Sequence, residues 1–362
     1  EEIAQEHGND PYARQQQALA HGRIGEIFGL NSEHQKAEAK FSQGIAILEE
    51  LVMANPDDSE HKLSLAHLLY CRLHCDPVRS QAERLADGER ALRIHQELVE
   101  AGGDEHFMRL ALLHERVASL LPHNSLQKIQ HLTESIRIPE SFGHMPNYAP
   151  YIQLAILAEG KGQWDKAEEN YRRGMELMQP SVDAGDRDDR QQLEVNLSRL
   201  ANLLNSRGRF AEATELHLQA IEVARQLFLE YGEFPRYESM LFNRVRAYSK
   251  SALTKEQQAE FHQFFGELEA EFPGAGFIQM ISAANLIDAG QTEKALADLR
   301  EAFTAAENAQ VIVEGLKTLS RELSSMRHYN DALAVAQLAL EHATPQYQDQ
   351  VHVHVALCEA NL

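Results

Sequence analysis

Apolar residues along this chain recur at three- and four-residue intervals, in segments of about 15 to 22 residues broken by Gly, Pro, Asn or Asp. That spacing places them on one face of an α-helix. Period-two alternation is nearly absent. "HVHVAL" near the C-terminus alternates briefly, but Gln346 to Asn361 as a whole follows the helical period. The predicted helices come in pairs, near 12–54, 57–101, 104–137, 147–180, 187–231, 235–271, 275–307 and 309–343, with a single capping helix at 346–361. The third and sixth pairs rest on periodicity alone.

Five of the pairs repeat a finer pattern: a helix, a short turn, then a second helix carrying two small residues seven apart. The small pairs are Ala37/Gly44, Ala167/Gly174, Ala213/Ala220, Ala295/Ala302 and Ala332/Ala339. Seven residues is two helical turns, so both lie on one face and admit a neighbouring helix closely. Phe41, Trp164, Tyr171, Phe210 and Tyr329 are expected to fill the gaps between repeats. Gly162, Gly208 and Gly290 fall in the turns, where a left-handed backbone suits glycine. Pro56, Pro180, Pro235, Pro273 and Pro345 are expected to end one repeat before the next begins.

This pattern resembles the tetratricopeptide repeat. Ala37 and Ala332 stand seven repeats apart, a period of about 42 residues, against 34 for the ordinary repeat. The resemblance implies an all-α fold, a right-handed superhelical solenoid of antiparallel helix pairs. "PESFGHMPNYAP" holds three prolines in 12 residues. The expected organisation is therefore helix pairs over 1–138, a proline-rich linker or kink at 139–150, further repeats over 151–345 and a capping helix at 346–362.

The first 100 or so residues are also similar to the repeats that follow the catalytic domain in large bacterial serine/threonine protein kinases. Ala37, Ala39, Phe41, Gly44, Ile45, Leu48, Glu49, Leu51, Val52, Pro56, Asp58, Leu65 and Ala66 carry that likeness. It implies that the chain is a non-catalytic, regulatory part of such a kinase.

Charge narrows the partners. With 34 basic and 55 acidic residues the formal net charge is −21. Such a chain repels phosphate backbones, which weighs against nucleic acid and towards a basic or neutral protein partner. No run approaches the 18 apolar residues of a membrane span, so no direct membrane insertion by this segment is expected. "EEIAQEHGNDPY" has no signal-peptide features and reads as the cut end of a longer chain. Three cysteines are too few for a disulfide scaffold. They favour the cytoplasm, with the periplasm open if a parent protein is membrane-anchored.

No phosphate loop, HExxH, GxSxG or kinase catalytic motif is present, so the segment is read as not an enzyme. His67, Cys71, His74 and Cys75 cluster within nine residues, but His67 and His74 would sit two helical turns apart, too far for one ion. No second ligand cluster is visible, so neither a bound metal nor any other cofactor is expected. The predicted peptide-binding groove is lined by the first helix of each pair. Its candidates are Ser198, Asn202 and Asn205 with Arg199 at the edge, Lys317 and Arg321, and the apolar Phe277 and Met280. Polar members would hydrogen-bond an extended peptide or its carboxylate. Two other uses stay open: self-assembly into a homodimer through the final helix, and a ligand sensor or enzyme using the groove.

Overall fold

A computed structural model describes residues 10–75, 78–232, 235–251, 254–305, 309–343 and 345–360. The described residues form α-helices, one 3-10 turn at Asp104–His106, and no strand. The chain divides into two compact units, Glu1–Leu177 and Met178–Leu362. The first contains α1 (Pro11–Leu30), α2 (His34–Ala54), α3 (Ser59–Arg72), α4 (Gln81–Glu100), α5 (Phe107–Leu120), α6 (Leu126–Ser141), α7 (Ala149–Gly160) and most of α8 (Trp164–Asp183). The second contains α9 (Arg187–Ser206), α10 (Phe210–Tyr231), α11 (Pro235–Ser251), α12 (Lys255–Glu271), α13 (Gly276–Asp288), α14 (Thr292–Ala305), α15 (Ala309–Ser325), α16 (Tyr329–His342) and α17 (Pro345–Glu359). All eight expected pairs and the final single helix are present, including the third and sixth.

The small residues do what their spacing predicts. Ala37, Ala213, Ala220, Ala295, Ala332 and Ala339 are buried at helix contacts. At Gly44 a Cβ would stand 2.6 Å from Leu68 Cδ1 and 2.7 Å from the carbonyl oxygen of Ala18, so α2 approaches its neighbours too closely for any side chain. Around these contacts each unit builds its own core. One runs from Ala18 to Ile138, the other from Ile221 to Cys358.

The turns divide into two kinds. In five pairs the second helix follows a residue in the left-handed region: Ser32 (φ 60°), Gly162 (69°), Gly208 (76°), Gly290 (75°) and Arg327 (65°). The next residue's N–H donates to the carbonyl five positions back, at 2.8–3.0 Å in all five. This is the Schellman-type closure of a helix end. Each of these residues stands five positions before the first small residue of its pair. Pairs two, three and six close differently. Ser80 and Thr254 form capping boxes with Glu83 and Gln257, and the Ser125 hydroxyl accepts from the Lys128 N–H. Hydroxyl caps satisfy the orphan helix N–H groups that begin α4, α6 and α12.

Two details depart from the sequence reading. Trp164 does not fill a gap between repeats. It is the first residue of α8, so its side chain leans back against the Gly162 turn and stays 43% exposed. Pro180 lies within the last turn of α8, and Pro235 and Pro345 open α11 and α17, where a missing N–H costs nothing. The stretch 139–150 holds the end of α6, a connection over 142–148 and the start of α7.

Candidate binding site

In the second unit the first helices of the pairs are α9, α11, α13 and α15. Charged side chains tie them together. Arg244 on α11 donates to the wholly buried carboxylate of Glu194 and, at 2.9 Å, to Ser198 Oγ, both on α9. Burial pulls the Arg244 guanidinium down to about 10, which leaves it charged at neutral pH. Two residues on, Arg246 donates to Asp288 on α13 at 2.7 and 3.1 Å and to Glu322 on α15 at 3.2 Å. Lys250 reaches the same two carboxylates at 3.0 and 2.9 Å. Arg246 and Lys250 hold the Asp288 carboxyl below its ordinary range, against the upward push of its partial burial. Two cations thus bridge two carboxylates across three helices. Glu238 on α11 adds a further tie, accepting the Phe277 N–H at the start of α13 at 3.1 Å. Burial raises its carboxyl pKa.

Against this frame the predicted groove residues scatter. Arg199, Asn202 and Arg321 are exposed, on α9 and α15. Ser198 is buried and occupied by Arg244. Asn205 is half-buried, its amide 3.3 Å from His217 Nε2. Lys317 is buried and donates to both Glu314 carboxylate oxygens at 3.1 Å, so it is not a cation waiting for a peptide carboxylate. Phe277 and Met280 are wholly buried: Phe277 meets Phe228 and Phe272 edge-on, and Met280 packs against Gly315. They are core residues rather than groove lining. The charge network itself was not among the candidates. Its sequence signal is the cationic pair in "FNRVRAYSK", where Arg246 interrupts the apolar run of Phe242, Val245 and Tyr248.

In the first unit α3 ends at Arg72, so His74 and Cys75 fall in the following turn rather than on the helix with His67 and Cys71. Cys75 is buried, and the His74 ring meets Tyr70 edge-on at 5.6 Å. His67 and Cys71 face Glu26 of α1, with Cys71 Sγ donating to Glu26 Oε1 at 3.4 Å. Burial, reinforced by Glu26, pushes the Cys71 thiol up to about 12. A cleft of about 490 Å³ opens beside them, lined by Leu30, His34, Phe41 and Tyr70 among others. No helix among the described residues is long and apolar enough to cross a membrane.

No family model matches this chain and no curated protein matches it. Solved structures do resemble it. Yeast Tom70 shares 13% identity over 90% of this chain and 60% of its own, with a TM-score of 0.37. The chain thus spans three fifths of Tom70's length. The C-terminal part of a TPR repeat-containing protein from Cytophaga hutchinsonii shares 9% over 92% of this chain and 98% of that one, at 0.39. A thermophilic TPR protein from Thermus thermophilus shares 18% over 59% and 99%, at 0.28. The chain's own repeats define its class. Helix pairs, five of them with small residues two turns apart and the same left-handed closure, make it an all-α helical-repeat protein.

Proposed function

We propose that this chain is a non-catalytic scaffold that holds a protein or extended peptide along the first helices of its second unit, as the regulatory segment of a bacterial serine/threonine kinase. The observation that carries the binding reading is the charge-tied row of α9, α11, α13 and α15. Ion pairs fix these helices relative to one another, and a preorganised surface spends less binding energy on ordering. Arg199, Asn202 and Arg321 stand exposed on that row, available to an extended backbone or a carboxylate. The kinase part rests on the N-terminal repeat residues from Ala37 to Ala66.

Capture from the source organism's lysate by the wild-type chain, beside an Arg199→Glu/Arg321→Glu variant, tests the binding part. A protein retained by the first and reduced about tenfold or more by the second supports the surface, since hydrogen bonds to charged groups contribute roughly 1.5–3 kcal/mol each. Equal capture by both removes those residues from the interface. Reading the coding sequence upstream of Glu1 tests the kinase part, which fails if no kinase domain precedes it.

A second reading, self-assembly, is favoured by α17. Val353 and Leu357 lie four apart on one face of that helix and are 62% and 57% exposed. If a second copy covers them, the chain sediments as a dimer that Val353→Asp/Leu357→Asp dissociates. A wild-type monomer at tens of micromolar ends this reading.

A further inference from the structure

We propose that Glu26, His67 and Cys71 form a binding site for a thiophilic divalent cation of the zinc type. His67 and Cys71 are one helical turn apart on α3, so their side chains project side by side. Glu26 reaches them from α1. Three atoms converge: His67 Nε2 lies 3.8 Å from Cys71 Sγ and 3.7 Å from Glu26 Oε1, and Sγ lies 3.4 Å from that same oxygen.

These separations are close to the edges of a coordination polyhedron, two of them about 0.1–0.2 Å longer than tetrahedral zinc sets. Tetrahedral zinc with ordinary Zn–N, Zn–O and Zn–S bonds sets donor–donor separations of about 3.3–3.6 Å. The in-plane point equidistant from all three atoms lies about 2.1 Å from each, and a tetrahedral ion sits off that plane, towards the fourth ligand, at slightly longer distances. The in-plane distance is within the usual range for zinc to nitrogen and oxygen and about 0.2 Å short of a zinc–sulfur bond. Small rotations of the Glu26 and His67 side chains, which are 45% and 44% exposed, suffice to centre an ion. The donor chemistry also fits: imidazole, carboxylate and thiolate are a zinc set, whereas magnesium and calcium take oxygen alone. On binding, the Cys71 S–H gives its proton to solvent and the sulfur lone pair bonds the metal. Three protein ligands leave a fourth position for water, as in zinc sites that keep an open place.

In the sequence, His67 and His74 stand too far apart to share an ion and no second ligand cluster is visible, so His67 and Cys71 need a donor from elsewhere in the fold. Glu26 is that ligand. His34 and His74, which line the adjoining cleft, are spectators in this assignment.

The test is a titration of the full chain, purified without a histidine tag, with Co²⁺ alone. One equivalent is expected to give a near-ultraviolet thiolate-to-cobalt charge-transfer band and intense visible bands of four-coordination, both removed by one equivalent of Zn²⁺. Cys71→Ser abolishes the charge-transfer band, whereas Cys75→Ser retains it. Glu26→Gln and His67→Gln, both at half-exposed positions that leave folding intact, weaken binding about tenfold or more. Absence of the band in the wild type overturns the proposal. So does a band that survives Cys71→Ser, or affinity unchanged in both Glu26→Gln and His67→Gln.

Discussion

Arg327 and Ser32 hold a backbone conformation that glycine fills at three equivalent turns. A side chain there costs about 1–2 kcal/mol, and glycine returns roughly half of that in unfolded-state entropy. Arg327→Gly is therefore expected to stabilise the chain by about 0.5–1 kcal/mol, read as a raised denaturation midpoint. An unchanged or lower midpoint would show that the Arg327 side chain contributes more than its backbone costs. Buried histidines set a second expectation. Burial holds His95, His114 and His217 down to about 4, helped by His106 and Arg109 at His95 and by the His131 ring 2.9 Å away at His114. The unfolded chain binds these protons near 6.5, so it takes up more protons than the folded one between about 4 and 6.5. Their contribution is complete above pH 6.5 and lost as the pH falls towards 4, with each histidine capped at about 3 kcal/mol. Melting at pH 7.5 and 5 should differ by several degrees. His114→Phe should shrink that difference, and a pH-independent melt would refute the assignment.

Helices and their joints explain what the sequence disclosed. The five repeats legible as repeats are those with the left-handed turn and the small-residue pair, two signals at a fixed offset. Pairs three and six were visible only by period because Ser125 and Thr254 close them through hydroxyl caps, which leave a weaker mark, as Ser80 does in pair two. Phe277 and Met280 were misplaced for a related reason. On α13, Phe277, Ile278, Met280, Ile281, Ala283, Ala284 and Ile287 are all buried, so no apolar stripe is left over to face a groove. The Glu26–His67 approach was illegible, since it depends on how α1 packs on α3. Glycines inside helices give a paired test of packing. Gly44→Ala gains about 1 kcal/mol of helix propensity, but it drives a Cβ into the Ala18 carbonyl, so a net loss of about 1–3 kcal/mol is expected. Gly266, with nothing within 4 Å of an added Cβ, should instead gain about 0.5–1 kcal/mol on substitution by alanine. Thermal or urea denaturation of both variants reads the two signs, and the same sign in both would contradict the packing described.

At the scale of the whole molecule, each unit has a core drawn from its own helices. Damage should therefore stay local. Leu316→Ala removes a wholly buried side chain of the second core, at a cost of about 2–5 kcal/mol. Hydrogen exchange is expected to quicken at least tenfold in α13 to α16 and to stay unchanged in α1 to α4. Equal acceleration throughout would mean one cooperative block. The recurring left-handed turns bear on time as well as stability. Each closes between helices adjacent in sequence, so the chain gains much of its structure through short loops that form early and at small entropic cost. With five such turns distributed over both units, folding has several equivalent places to start, and its speed should depend little on any one of them.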